Sequence, residues 1–101
     1  MDTENLIKEA KARFSHNSAK AYLSDKYQSK LSVAEQGGLW KVTPELIVFL
    51  DSTVLEEMIL VDSFGNPVKV NRQQLLVKVR DTYNNVMEQW YNEYKELENK
   101  R

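Results

Sequence analysis

The sequence predicts an α+β domain: a helical N-terminal segment, one or two short β-hairpins, a short middle helix and a long C-terminal amphipathic helix. Three observations carry this reading. Apolar residues recur at spacings of three and four near both ends of the chain, as a 3.6-residue period requires. The stretch between them alternates apolar and polar residues and is broken by glycines, the pattern of short strands and turns. The 101 residues, 42% hydrophobic and 29% charged, suit a single domain spanning 1–101 with one real core.

The first segment, roughly 3–30, reads as helix. Leu6, Ile7, Ala10 and Phe14 form one apolar stripe, and Ala19, Tyr22, Leu23 and Tyr27 form a second. At 100° per residue the two stripes are out of phase and face different sides of the helix. Ser15-His16-Asn17-Ser18 between them are cap and turn residues, so the segment is either two helices meeting near Asn17 or one kinked helix that changes its buried face. Leu31 to Glu35 and Leu39 to Thr43 alternate around Gly37-Gly38, a turn capable of positive φ. A hairpin there competes with a helix that runs on to Gln36 and is capped at Gly37. Thr43-Pro44-Glu45 combines an N-cap, a proline at the first helical position and an acid in the first turn, so a short helix over about 44–52 follows.

Glu57 to Asp62 is a compact apolar run closed by charges, and Pro67 to Val70 returns after Ser63-Phe64-Gly65-Asn66. This predicts a hairpin with Gly65-Asn66 at its tip, and Pro67 belongs at an edge or just outside the ladder. Asn71 then caps a helix running to about residue 99, with Leu75, Leu76, Val79, Tyr83, Val86, Met87, Trp90, Tyr94 and Leu97 on a broad apolar face. Such a helix is about 40 Å long. A compact fold of this size has a radius of gyration near 13 Å, so the far end of the helix is expected to need a partner.

Composition excludes several functions. With no cysteine there are no disulfides, thiolate chemistry or cysteine-based zinc sites. The acidic, polar start, Met1-Asp2-Thr3-Glu4-Asn5, is not a secretory signal. The longest apolar run, Leu46–Leu50, is five residues, against roughly 20 for a membrane span. A soluble, cytoplasmic protein without membrane contact is expected. The net charge of −1 hides segregation: residues 8–30 sum to +4, 31–62 to −5, 63–80 to +4 and 81–101 to −2.

No arrangement of residues carries chemistry. His16 is the only histidine and sits among helix-boundary residues, better suited to a surface or capping role than to general-base catalysis. Glu56 and Glu57 are adjacent and point apart in either regular structure, and Asp51 and Asp62 match no calcium-loop spacing. Gly37-Gly38 lacks the Gly-Lys-Ser/Thr of a phosphate loop. No hydrolase, transferase or metal-dependent activity is expected, and no cofactor. Two binding surfaces stand out instead. Tyr83, Trp90, Tyr91, Tyr94 and Leu97 are candidate partner-binding residues, because Trp and Tyr dominate interface hot spots. The alternative is a nucleic-acid site on Lys69, Arg72, Lys78 and Arg80, joined by Lys8, Lys11, Arg13 and Lys20 of the other basic segment. A pI near 5.8 weighs against a dedicated nucleic-acid binder.

Gly37-Gly38-Leu39-Trp40-Lys41-Val42-Thr43-Pro44-Glu45-Leu46, the stretch Val61 to Arg72 (Val-Asp-Ser-Phe-Gly-Asn-Pro-Val-Lys-Val-Asn-Arg) and Val86-Met87-Glu88-Gln89-Trp90-Tyr91 together resemble a small protein family of T4-like bacteriophages. The resemblance covers nearly the whole chain and carries no catalytic residues. It implies a phage accessory or virion-associated protein that acts by binding in the host cytoplasm. The expected function is therefore a non-enzymatic interaction protein, pairing as a homodimer or with another protein through the 83–97 face. The competing outcome is that residues 6–27 fold back and cover that face within one chain.

Overall fold

A computed structural model describes residues 3–99, without the side chains of Glu4 and Phe14; Phe14, in the first apolar stripe, therefore lies outside the described side chains. The elements run α1 (Thr3–Gln28), β1 (Ser32–Glu35), β2 (Gly38–Lys41), α2 (Pro44–Ser52), β3 (Glu57–Val61), β4 (Pro67–Asn71) and α3 (Arg72–Asn99). The fold is α+β, with two separate two-stranded antiparallel sheets, β1-β2 and β3-β4. Residues 3–28 form one helix, not two, despite the cap-type residues at 15–18. The helix does not change its buried face: Leu6, Ile7 and Ala10 of the first stripe are exposed, as is Tyr22 of the second, and only Leu23 and Tyr27 are buried.

The choice left open for residues 31–43 resolves to a hairpin with the register Val33↔Trp40 and Glu35↔Gly38. Its turn sits one residue earlier than Gly37-Gly38: Gln36 (φ 53°) and Gly37 (φ 84°) take the two left-handed positions of a tight hairpin turn. Gly38 instead belongs to β2, beneath the indole of Trp40. A Cβ built at 38 would lie 2.7 Å from that ring, so glycine is required there by close approach, not by φ. The left-handed backbone costs Gln36 roughly 1–2 kcal/mol. Its side-chain amide offsets this by bonding both main-chain groups of Asn71: Asn71 N–H donates to Oε1 at 2.7 Å, and Nε2 donates to the Asn71 carbonyl at 3.2 Å.

The second hairpin pairs Glu57↔Asn71 through Val61↔Pro67. Its tip is Ser63-Phe64, and only Gly65 (φ 81°) of the Gly-Asn pair is left-handed. Gly65 N–H bonds the Asp62 carbonyl and Asp62 N–H bonds the Asn66 carbonyl, a three-residue loop with a glycine bulge. Both helix starts follow their sequence signals. Thr43 Oγ1 accepts from Leu46 N–H at 3.1 Å, and Asn71 Oδ1 accepts from Gln74 N–H at 3.0 Å.

Two apolar clusters hold the chain together. The larger joins Val33, Trp40, Val42, Leu50, Val70, Leu75, Leu76 and Val79, so both hairpins and α2 pack on the first half of α3. The smaller is Leu23, Tyr27 and Val86, with Trp90 and Leu97 against it, and ties the end of α1 to the second half of α3. Tyr27 meeting Trp90 while Leu23 shares its cluster with Leu97 makes the two helices antiparallel. The residues beyond Trp90 in α3 thus reach back only to about residue 18 of α1. The preceding part of α1 extends past the end of α3 as an arm about 20 Å long. The molecule measures 66 × 24 × 19 Å, with a radius of gyration of 19.5 Å.

Candidate interaction surface

The structure divides the aromatic row of α3. Tyr83 packs on the larger cluster, half-buried. Trp90 stacks on Tyr27 at 6.1 Å with 11° between the rings, and Leu97 packs with the same small cluster. Tyr94 is half-buried. Tyr91, one residue from Trp90 and so about 100° around the helix, is 59% exposed. Lys95 Nζ stands 5.7 Å from the Tyr91 ring centre, a cation–π contact on the outer face. The aromatic face is therefore covered in part by α1, and Tyr91 is its open member.

A polar contact beside the stacked rings fixes the two helices. Glu93 accepts from Lys26 Nζ at 2.7 Å and also from the Tyr27 hydroxyl. The Lys26 hydrogen bond, then that of Tyr27, holds the Glu93 carboxyl below the usual carboxylate range. Each donor's own hydrogen bond to Glu93 in turn raises its pKa, for Lys26 and for Tyr27. Sequence reading did not single out Glu93. It is one of several acids on a charged helix, and its partner Lys26 lies 67 residues away.

The basic set of the alternative reading is drawn largely into the chain's own contacts. Arg72 spans the end of α2 and the following loop, its Nε donating to the Leu55 carbonyl at 2.8 Å and its Nη1 to that of Leu50 at 2.9 Å. Lys69 lies 3.2 Å from Glu57 and Arg80 3.4 Å from Asp51, both exposed pairs worth little individually. Lys78 has no such partner among the described residues. On α1, Lys8, Lys11, Arg13 and Lys20 are exposed.

Asp62, 8% exposed, joins the two hairpins. Its carboxylate accepts from the N–H groups of Asn66 and Phe64 at 3.0 Å in its own loop and from Leu39 of β2 at 3.2 Å. Those backbone bonds, Asn66 first, lower its pKa. This is a structural carboxylate. Among the described residues, no three of His, Asp and Glu are grouped so as to hold a metal ion, and no helix is long and apolar enough to cross a membrane.

Sequence reading also missed an apolar surface on the head. Val48 (65% exposed) and Phe49 lie on the outer side of α2, followed by Val54 (91%) and Leu55 in the next loop. The signal was present in the run Leu46–Leu50. Five consecutive apolar residues point all around a helix, so a nine-residue helix packed on one side must leave some of them in water. Comparison of the chain with protein-family models, curated proteins and solved structures found no match.

Proposed function

We propose that the protein is a small non-enzymatic interaction factor that works through protein–protein contacts of the second half of α3. The exposure of Tyr91 carries this reading. It is a large aromatic on a rigid helix, braced by Lys95, beside a seam that already holds Trp90 and Leu97 in place. A pre-positioned aromatic with few rotatable bonds loses little entropy on binding, which is why such residues anchor interfaces. The likeness to small proteins of T4-like bacteriophages supports a setting in the host cytoplasm, as an accessory or virion-associated factor, with a second copy of the chain or another protein as partner.

A photo-crosslinking side chain placed at Tyr91, and in a second protein at exposed Glu45 on the head, tests this in the native host. Crosslinks to a defined protein from position 91, abolished when Lys95 is also replaced by Glu, support the reading. Equal crosslinking from both positions would show no preferred surface and count against it. Binding to single-stranded DNA with a steep salt slope would favour the nucleic-acid alternative.

A further inference from the structure

The ladder of the second hairpin assigns every main-chain group of β3 to one side or the other. Arg72 N–H donates to the Glu56 carbonyl and Asp62 N–H to that of Asn66, which sets the alternation along the register Met58↔Val70 and Leu60↔Val68. The even-numbered residues of β3 therefore bond β4, and the N–H and C=O groups of Glu57, Ile59 and Val61 point outward. These outward groups have no partner among the described residues. The side chains of the same three residues lie on the open face of the hairpin, where Ile59 is 69% and Val61 67% exposed.

The other strand edges are covered or interrupted. β1 lies against α3. On β2, Leu39 accepts from Ser63 N–H at 2.8 Å and donates to Asp62 Oδ2. On β4, Pro67 has no N–H, and Gln36 bonds both main-chain groups of Asn71. Devices of this kind keep exposed edges from pairing, and β3 carries no proline, glycine or lysine that would do the same. β2 meets β3 only at Ser63. Beyond it the two strands diverge, and Lys41 and Val61 line a hollow between them without a hydrogen bond to each other. The open edge is therefore 57–61.

We infer that β3 pairs antiparallel with the β3 of a second copy, about a two-fold axis at Ile59, so that two hairpins become one four-stranded sheet. A row of alternating donors and acceptors accepts only an extended strand. The exposed apolar residues on helices, such as Leu6, Ile7, Val48 and Phe49, make no such selection, because helix main chains bond internally. A second copy satisfies the edge completely. With Ile59 opposite Ile59 and Glu57 opposite Val61, every outward N–H and C=O of residues 57, 59 and 61 is bonded in both copies. Sliding the register either way leaves an outward residue of each strand unpaired. Charge favours the same register. It keeps the two copies of Glu57 at opposite ends of the pair, and it brings Glu57 of the second copy opposite Val61. That is the side where Lys41 stands exposed, with no acidic partner among the described residues. The contact is isologous and closes at a dimer. It uses no residue of the α3 surface and so stands independently of that reading.

Mass and amide exchange together test the inference. Light scattering at about 100 µM, well above a micromolar dissociation constant, should give the native chain twice the monomer mass of 11.8 kDa. Ile59→Glu brings like charges together at the axis, while its cross-strand neighbour Lys69 suits it to the hairpin. This variant should return to the monomer mass. In amide exchange followed by NMR, Glu57, Ile59 and Val61 should be slow in the native dimer. Glu57 and Val61 should lose that protection in the variant, while Met58 and Leu60, bonded to β4, stay slow in both. Fast exchange at Met58 and Leu60 would mean that the variant has lost its hairpin. Ile59→Pro, which removes the central outward N–H and no bond to β4, then decides in its place. A native chain at the monomer mass overturns the inference. So does a dimer in which Glu57, Ile59 and Val61 exchange fast, or one that survives either folded variant. A dimer that survives them but is lost with Tyr91→Ala would move the contact to α3, ending the β3 pairing and leaving the α3 reading standing.

Discussion

Gly38 and Asp62 carry more of the head's geometry than their size suggests. Alanine at 38 would press its methyl group into the Trp40 indole, whose N–H is already committed to the Glu35 carbonyl at 2.9 Å. The ring cannot swing away without losing that bond. We expect Gly38→Ala to destabilise the fold by about 1–3 kcal/mol, the usual range for overpacking, measurable by chemical denaturation. Gly37→Ala would meet open space and suffer only from its positive φ. Asp62 makes stability depend on acid. Its folded pKa is depressed, so its contribution is complete above the unfolded carboxylate value near 4 and is lost as pH falls through the lower folded value. Asp62→Asn should therefore be less stable than the native chain at pH 7, with the difference shrinking as the pH approaches 2. A difference that stays constant across that range would show that the charge of Asp62 is not what holds the hairpins together.

Among the elements, α1 is attached through the smaller of the two apolar clusters. Leu23 and Tyr27 on one side and Val86, Trp90 and Leu97 on the other form that cluster, with Glu93 bonded to Lys26 and Tyr27. Trp90→Ala should raise amide hydrogen exchange in residues 19–28 while leaving β2 and residues 72–83 protected, because the larger cluster does not include Trp90. Its cost should fall below the about 3–5 kcal/mol of a fully buried tryptophan. The polar contact has a pH window. The Glu93 share is present above about pH 4 and lost as pH falls through its depressed pKa. The Lys26 and Tyr27 shares are present below about pH 10 and lost as pH rises through their raised values. Glu93→Gln should remove the acid limb of any pH dependence in the protection of residues 19–28. The elements were legible in the sequence wherever a local signal decided them. Thr43-Pro44-Glu45 started α2, Asn71 started α3, and the return at Pro67 defined β4. What was not legible came from contacts distant in sequence: the position of the first turn, set by Gln36 reaching Asn71 and by Trp40 over Gly38, and the continuity of α1 through Ser15–Ser18. The split of the aromatic row likewise depended on where Tyr27 arrives along α3, which no local pattern states.

The whole molecule is an elongated rod because α1 and α3 overlap over only part of their lengths. α1 packs on α3 with its second half and leaves its first half exposed, which accounts for both the small seam and the exposed arm. A compact chain of this length would have a radius of gyration near 13 Å, against 19.5 Å here. The contact proposed at Tyr91 on α3 rests on that partial overlap, so the extended shape is the central claim. Small-angle X-ray scattering on the native chain, extrapolated to infinite dilution, tests it most directly. The account expects a monomer with a radius of gyration close to 19.5 Å and a longest dimension near 66 Å; a value near 13 Å, with α1 folded back over the head, would contradict it.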